Sequence, residues 1–304
     1  MSDSAPLQPF SPRNAEIQKN ALQKVPSRSE RRRNPFAVLE AFLTAILGAL
    51  VSRTFTWLLL SAYDDNTNAV FWIGFLFHGW PGFIDVACLL AVGESAFNPN
   101  GLLPYATIVG GLIGFWDGWH QIHDWRRFGA FTFLLDVTWG GAAVGIGALI
   151  HFLNLGWGSA IASQRIGAHR YDAGISAKRQ YAITIGNVCG NLRGQGEGGI
   201  FRHECLHVLQ NRLFGPIYLY SYVGWIATLL LPALIYGSFV RRLYATCFSW
   251  CYLNNPWEEW AYRSGGSRDP ALVWPTRRIV SMVIVFVSAI LVIVWTVAMQ
   301  STNG

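Results

Sequence analysis

Charge is what this chain lacks. Only 13% of its 304 residues are Asp, Glu, Lys or Arg, against about 25% in an average soluble domain. With 52% hydrophobic residues, among them 14 Trp, 19 Phe and 11 Tyr, that scarcity excludes a disordered chain, a coiled coil and a charged nucleic-acid-binding arm. Cysteine is sparse too. The five, at 88, 189, 205, 247 and 251, are an odd number with no C-x-x-C pair, so they imply no disulfide framework and read as small buried hydrophobes. There is no G-x-x-x-x-G-K-[ST], and the Gly-rich stretch 191–199 has no strand-to-helix G-x-G-x-x-G context, which excludes a phosphate cradle. The net charge is +6. In a chain this apolar, a basic excess orients membrane loops rather than binding nucleic acid.

Long apolar runs are what the chain has. Residues 279–299, IVSMVIVFVSAILVIVWTVAM, are 21 residues without a charge. At about 1.5 Å per residue such a helix spans the roughly 30 Å of membrane hydrocarbon. Four weaker spans come earlier: 36–62 with Glu40 and Arg53 inside, 70–93 with Asp85, 102–118 and 130–152. Gly110, Gly114 and Gly118 lie four apart, as do Gly141 and Gly145; small residues at that spacing let helix backbones approach closely in lipid. The first 34 residues are polar and basic with no apolar core, so they read as a tail rather than a cleaved signal. Positive charge marks the cytoplasmic side. The tail is therefore placed there, and four crossings return the chain to the cytoplasm near residue 153. The Arg- and Lys-rich stretch that follows agrees; Arg126 and Arg127 run against it. The expected fold is an α-helical polytopic membrane protein. It divides into a cytoplasmic tail 1–34, a four-helix region 35–152, a polar region 153–278 with an embedded apolar segment 217–240, and a final span 279–299.

The polar region carries the chemistry. QYAITIGNV, 180–188, is β-rich and predicts a strand, with a hairpin partner near 161–171. Residues 200–213 have helical periodicity, and Gly215-Pro216 is a stop. Inside that helix His203-Glu204-Cys205-Leu206-His207 is H-E-x-x-H. Two histidines at i and i+4 share one face and can reach one Zn²⁺; the Glu beside the first can take a proton from a water that zinc has acidified to a pKa of about 7. A third ligand is needed. Glu258 and Glu259 are the only carboxylates between His207 and Asp269, and Glu258 sits in an aromatic, charge-poor segment, NNPWEEWAY. A carboxylate from a second helix completes a His₂Glu site with one open position; Glu259 is the alternative.

HExxH followed by E-x-x-A resembles the gluzincin clan of zinc metallopeptidases. The membrane-embedded layout is most similar to the CAAX-prenyl-protease and heat-shock membrane protease group. HExxHxxQ, GPIYL and P-x-E-x-W-A-Y-x-x-GG together are also similar to bacterial membrane zincin-like proteins. The resemblance covers about 180–266. It implies His203, His207 and Glu258 as zinc ligands, Glu204 as general base, and a β-strand beside the motif helix that takes an extended peptide by strand addition. Where that clan has an Asp four residues after the ligand Glu, to orient a ligand His, this sequence has Tyr262. Its hydroxyl can accept an imidazole N–H but adds no negative charge.

His207 and Glu258 can meet only if the chain between them crosses the membrane an even number of times. Residues 217–240 look like one span and RRLYATCFSWCY like a poor second, so 217–240 is expected to be a re-entrant hairpin bent near Pro232. That keeps the zinc site cytoplasmic, near membrane-borne peptide or protein substrates. Asp85, Asp117 and Asp136, with His78, His120 and His151, sit in or beside expected spans. Such residues mark a water path, a proton or ion pathway, or interhelical hydrogen bonds. A second metal site from His120, His123 and Asp124 is conceivable. The expected activity is peptide hydrolysis by a membrane zinc metalloendopeptidase; the alternatives are a multi-pass transporter and a zinc-bound pseudoenzyme or assembly protein.

Overall fold

The computed structural model describes residues 36–63, 67–97, 99–157, 160–161, 165–171, 182–192 and 199–265. The basic tail and the apolar segment 279–299 lie outside the described residues. Among the described residues the fold is mostly helical, with one small sheet.

Helix α1 (Phe36–Ser61) packs along α4 (Pro99–His120) through small residues. A Cβ on Gly114 would lie 2.0 Å from the Thr44 carbonyl oxygen, and one on Gly110 would lie 2.4 Å from that of Gly48. The backbones touch, as the four-residue glycine spacing predicts. Between them, α2 (Thr67–Ile73) runs into a π-helical turn, Gly74–His78. Gly79, at φ 67°, then breaks the chain before α3 (Trp80–Val92). The expected span at 70–93 is thus two short helices. The span expected at 130–152 is also divided. Helix α5 (Gly129–Val137) and α6 (Gly141–Trp157) meet at 89° across Thr138, Trp139 and Gly140. Among the described residues, two single helices are long and apolar enough to cross a membrane: α1, and α8 (Pro216–Phe239).

The re-entrant bend expected near Pro232 is not there. Helix α8 runs unbroken for 24 residues with Pro232 inside it. The turn comes instead at Val240–Arg242, where Arg241 takes φ 54°. The chain then returns along α8 as α9 (Leu243–Cys247) and a π-helical turn, Phe248–Leu253. Trp225 Nε1 donates to the Trp250 carbonyl at 3.1 Å, and Tyr236 stacks on Trp250. A helical hairpin therefore brings the chain back, with its bend about nine residues later than the sequence suggests. The aromatic stacking that closes it has no periodicity to read.

Four short strands form the sheet: β1 (Ala160–Ile161), β2 (His169–Tyr171), β3 (Ile183–Ile185) and β4 (Val188–Gly190), in the order β1-β2-β4-β3. The expected single strand at 180–188 instead turns back at Gly186-Asn187, with Gly186 at φ 60°. A Gly-led two-residue loop is a strong hairpin signal. Strand β4 pairs parallel with β2, and β3 is left as an edge beside the motif helix α7 (Gly199–Phe214). Phe201 and Val208 of α7 bury against Ala168, Cys189 and Leu192 of the sheet side.

Candidate metal centre

Helix α7 stops where the sequence predicts. Gly215 takes φ 52°, its N–H bonding the Asn211 carbonyl, and Pro216 opens α8. The i, i+4 spacing puts His203 and His207 on one buried face, with their Nε2 atoms 3.1 Å apart. Glu258 comes from α10 (Pro256–Gly265). Asn255 caps this helix, its Oδ1 accepting from the Trp257 N–H at 3.1 Å, and Pro256 follows in the first turn, where a missing N–H costs nothing. This places Glu258 at the third helical position, where the helix dipole favours a carboxylate.

Glu258 Oε2 lies 3.2 Å from His203 Nε2 and Oε1 lies 3.2 Å from His207 Nε2. With metal–ligand bonds of about 2.0–2.1 Å, the edge of a tetrahedron is about 3.3 Å. The three donors thus stand at the separations that one first-row metal ion needs, and the three residues are a group able to hold one. Glu259 pairs with Arg263 one turn on, away from the histidines.

Neighbouring side chains orient the donors. Gln210 Nε2 donates to the Trp257 carbonyl at 3.0 Å, which turns its Oε1 to accept from His207 Nδ1 at 2.8 Å. That leaves the His207 lone pair on Nε2, facing the cluster. The Tyr222 hydroxyl donates to Glu258 Oε1 at 2.8 Å. Tyr262 meets His203 through its ring, centroids 4.3 Å apart, and His203 Nδ1 has no hydrogen-bond partner among the described residues. The support for His207 is thus complete and that for His203 is not.

Glu204 is buried beside the pair, and Thr184 Oγ1 of the edge strand donates to its Oε2 at 2.6 Å. Burial raises the Glu204 pKa, and the two histidines only partly oppose it. Burial alone would lower that of His207, but the Glu258 carboxylate outweighs it and pushes the group up to about 9. The Glu258 carboxyl, though buried, is held well below the usual carboxylate range by both imidazoles. A cavity of about 750 Å³ opens over the site. Its floor is Glu204, His207 and Glu258, one side is the edge strand Ile183–Ile185, and the other is the apolar flank of α8.

The remaining sequence candidates fall elsewhere. Asp85 accepts from Ser95 Oγ at 2.7 Å and from the Phe97 N–H, closing the loop after α3. Asp136 is gripped by Arg212 of the motif helix, with Nε at 2.8 Å and Nη2 at 2.6 Å. Asn187 Nδ2 bridges Asp136 to Asp117 at 3.1 Å each. His120, His123 and Asp124 do not converge. His123 bonds Asp117 and Thr132, and Asp124 accepts from the Arg126 N–H. His120 instead meets His151 and His169. His169 is buried, and burial, reinforced by His120, keeps its pKa well below the ordinary value.

Sequence reasoning gave Thr184 and Tyr222 no role. Gln210 stood in the HExxHxxQ string without a function attached. Hydroxyls in a strand and in an apolar helix carry no signal until the fold sets them against a carboxylate. Comparison with the models of known families, with curated proteins and with solved structures finds no match to this chain.

Proposed function

We propose that the protein is a multi-pass membrane zinc metalloendopeptidase, its site facing the cytoplasm and its substrate a membrane-borne peptide or protein. The observation that carries this reading is the convergence of His203 Nε2, His207 Nε2 and the Glu258 carboxylate within 3.1–3.2 Å, with Glu204 alongside. Three protein ligands leave a position open, as a catalytic rather than a structural zinc site requires. Bound there, zinc supplies a Lewis acid that polarises a carbonyl and acidifies a water.

The chain's own residues do the rest. Glu204 takes the proton of the attacking water and returns it to the leaving amine; burial raises its pKa and so strengthens it as a proton acceptor. Thr184 holds one oxygen of Glu204, leaving the other for the water. An extended substrate lies along β3. Helix α6 covers the end of that strand, because the Ile185 carbonyl comes within 2.6 Å of where a Gly147 Cβ would be, so the open length is towards Ile183. Leu219, Val223 and Ile226 on the α8 flank give the cavity an apolar wall, which suits an apolar segment drawn from the bilayer.

A zinc-bound protein without turnover is the second reading. What favours it is the unpartnered Nδ1 of His203 beside Tyr262. The transport alternative is weakened by the fixed pairing of Asp136 with Arg212 and of Asp85 with its loop. The deciding experiment is peptide hydrolysis by the purified, zinc-loaded protein beside Glu204→Gln. Cleavage lost in the variant with zinc retained supports the peptidase. Zinc in both proteins and cleavage in neither supports the second reading.

A further inference from the structure

Below the motif helix, three histidines from three separate elements meet: His120 at the end of α4, His151 in α6 and His169 in β2. One nitrogen from each lies within 4.8 Å of the others. His169 Nε2 donates to Asp117 Oδ1 at 2.7 Å. The same carboxylate also accepts from His123 and Asn187, so it is held as a pure acceptor. With the proton on Nε2, the lone pair of His169 is on Nδ1, and Nδ1 points at His120 Nδ1, 2.8 Å away. A tetrahedral ion with bonds of about 2.0–2.1 Å sets its donors about 3.3 Å apart, so the pair opens by about half an ångström to take one. His151 Nδ1 is bonded to the Tyr171 hydroxyl at 2.7 Å. With that oxygen accepting, the His151 lone pair is on Nε2. Its ring lies 4.1 Å from that of His169, at 90°.

We propose that His120, His151 and His169 form a second, structural centre for a divalent first-row transition ion, pinning β2 to α4 and α6. Three imidazoles without a thiolate suit zinc, copper or nickel rather than magnesium or calcium. Asp117 is a positioning residue: a carboxylate on the far nitrogen of a ligand histidine fixes its tautomer and raises its basicity. The neighbouring group Asp117, His123 and Asp136 also has metal-like spacing, but the Arg212 guanidinium already fills the cation's place on Asp136. The centre does not depend on hydrolysis at the first site. It would fix the sheet that carries Thr184, and the Asp117–Asn187–Asp136–Arg212 chain links it to the motif helix.

The test is zinc content of the full chain in detergent, after zinc loading and gel filtration. The wild type is expected to hold two zinc ions. His203→Ala combined with Glu258→Ala should keep one, and adding His151→Ala should remove it. Asp117→Asn in the double-variant background should still reach one zinc at saturation, with affinity about 10–100-fold weaker. A monodisperse, helical double variant that takes up no zinc overturns the proposal, and the cluster is then a proton-sharing histidine network. So does zinc that survives His151→Ala. Should His151→Ala not fold, Co²⁺ loading of the double variant decides. Visible d–d bands shifted by His120→Gln support the centre, and bands unmoved by it overturn it.

Discussion

Two histidine clusters in this protein are built in opposite ways. His207 and Glu258 stand with Glu204 at the floor of a 750 Å³ cavity, and His203 lies one turn before His207 on the same helix. His120, His151 and His169 have no place in that cavity lining; β2, α4 and α6 converge on them, and a shell of Asp117, Asn187 and Tyr171 holds them. The first is supported on one histidine and bare on the other, with room for a reactant. The second is braced from several sides. Chemistry needs an open position and a nearby proton acceptor; a structural tie needs neither. The difference teaches that histidine convergence alone does not mark an active site. The cavity and Glu204 are what set the first cluster apart.

The sharpest way to break the comparison is at Glu204. Glu204→Gln should cut peptide hydrolysis by about 10²- to 10⁴-fold, the worth of a positioned general base, while zinc content stays unchanged. Loss of zinc along with activity would mean that Glu204 is a ligand and the open-site reading fails.

The next largest effect is expected in the braced region. Arg212 and Asp136 are buried and paired. Arg212→Met leaves a buried carboxylate without its cation, at a cost of about 3–5 kcal/mol. Thermal unfolding in detergent should show a much lower midpoint, and Arg212→Met with Asp136→Leu should recover part of it. A single variant as stable as wild type would show that the network does not brace the fold.

Smaller effects should separate the two ligand histidines. Gln210→Leu removes the acceptor on His207 and should weaken zinc affinity about 10- to 100-fold. Tyr262→Asp, which offers a carboxylate beside the unpartnered His203 Nδ1, should tighten zinc binding; competition with a chelator measures both. Equal affinity in all three proteins would mean the asymmetry around the site has no effect on the metal. Thr184→Val should act on Glu204 and leave the metal alone. Losing a hydrogen bond to a charged group costs about 1.5–3 kcal/mol, most visible as a pH–rate profile displaced from that of the wild type, with zinc content unchanged.

Legibility in the sequence followed how local each feature is. His203, Glu204 and His207 lie within five residues, and helical geometry alone puts the two histidines together. The stop at Gly215-Pro216 was equally plain, since a residue at φ 52° followed by proline ends a helix. Elimination in an acid-poor chain left Glu258 and Glu259, and the resemblance pointed to Glu258. The glycine spacing of α4 was readable because close backbone approach has a period. The bend of the hairpin was misplaced at Pro232, because a proline inside a long apolar helix need not break it when the packing around it holds. The strand at 180–188 was drawn through Gly186-Asn187, although that pair is a turn signal.

By itself the sequence determined the apolar, mostly helical character of the chain, the H-E-x-x-H face and its acid-poor surroundings, because these depend on composition and on contacts a turn or two apart. Only the tertiary structure decided that Glu258 reaches both histidines, that Thr184 and Gln210 serve the site, and that residues 120, 151 and 169 meet at all. Their convergence arises from the right-angled corner at Thr138–Gly140, the return at Val240–Arg242 and buried side chains closing on one another. Contacts made across such distances in the chain leave no spacing rule behind them.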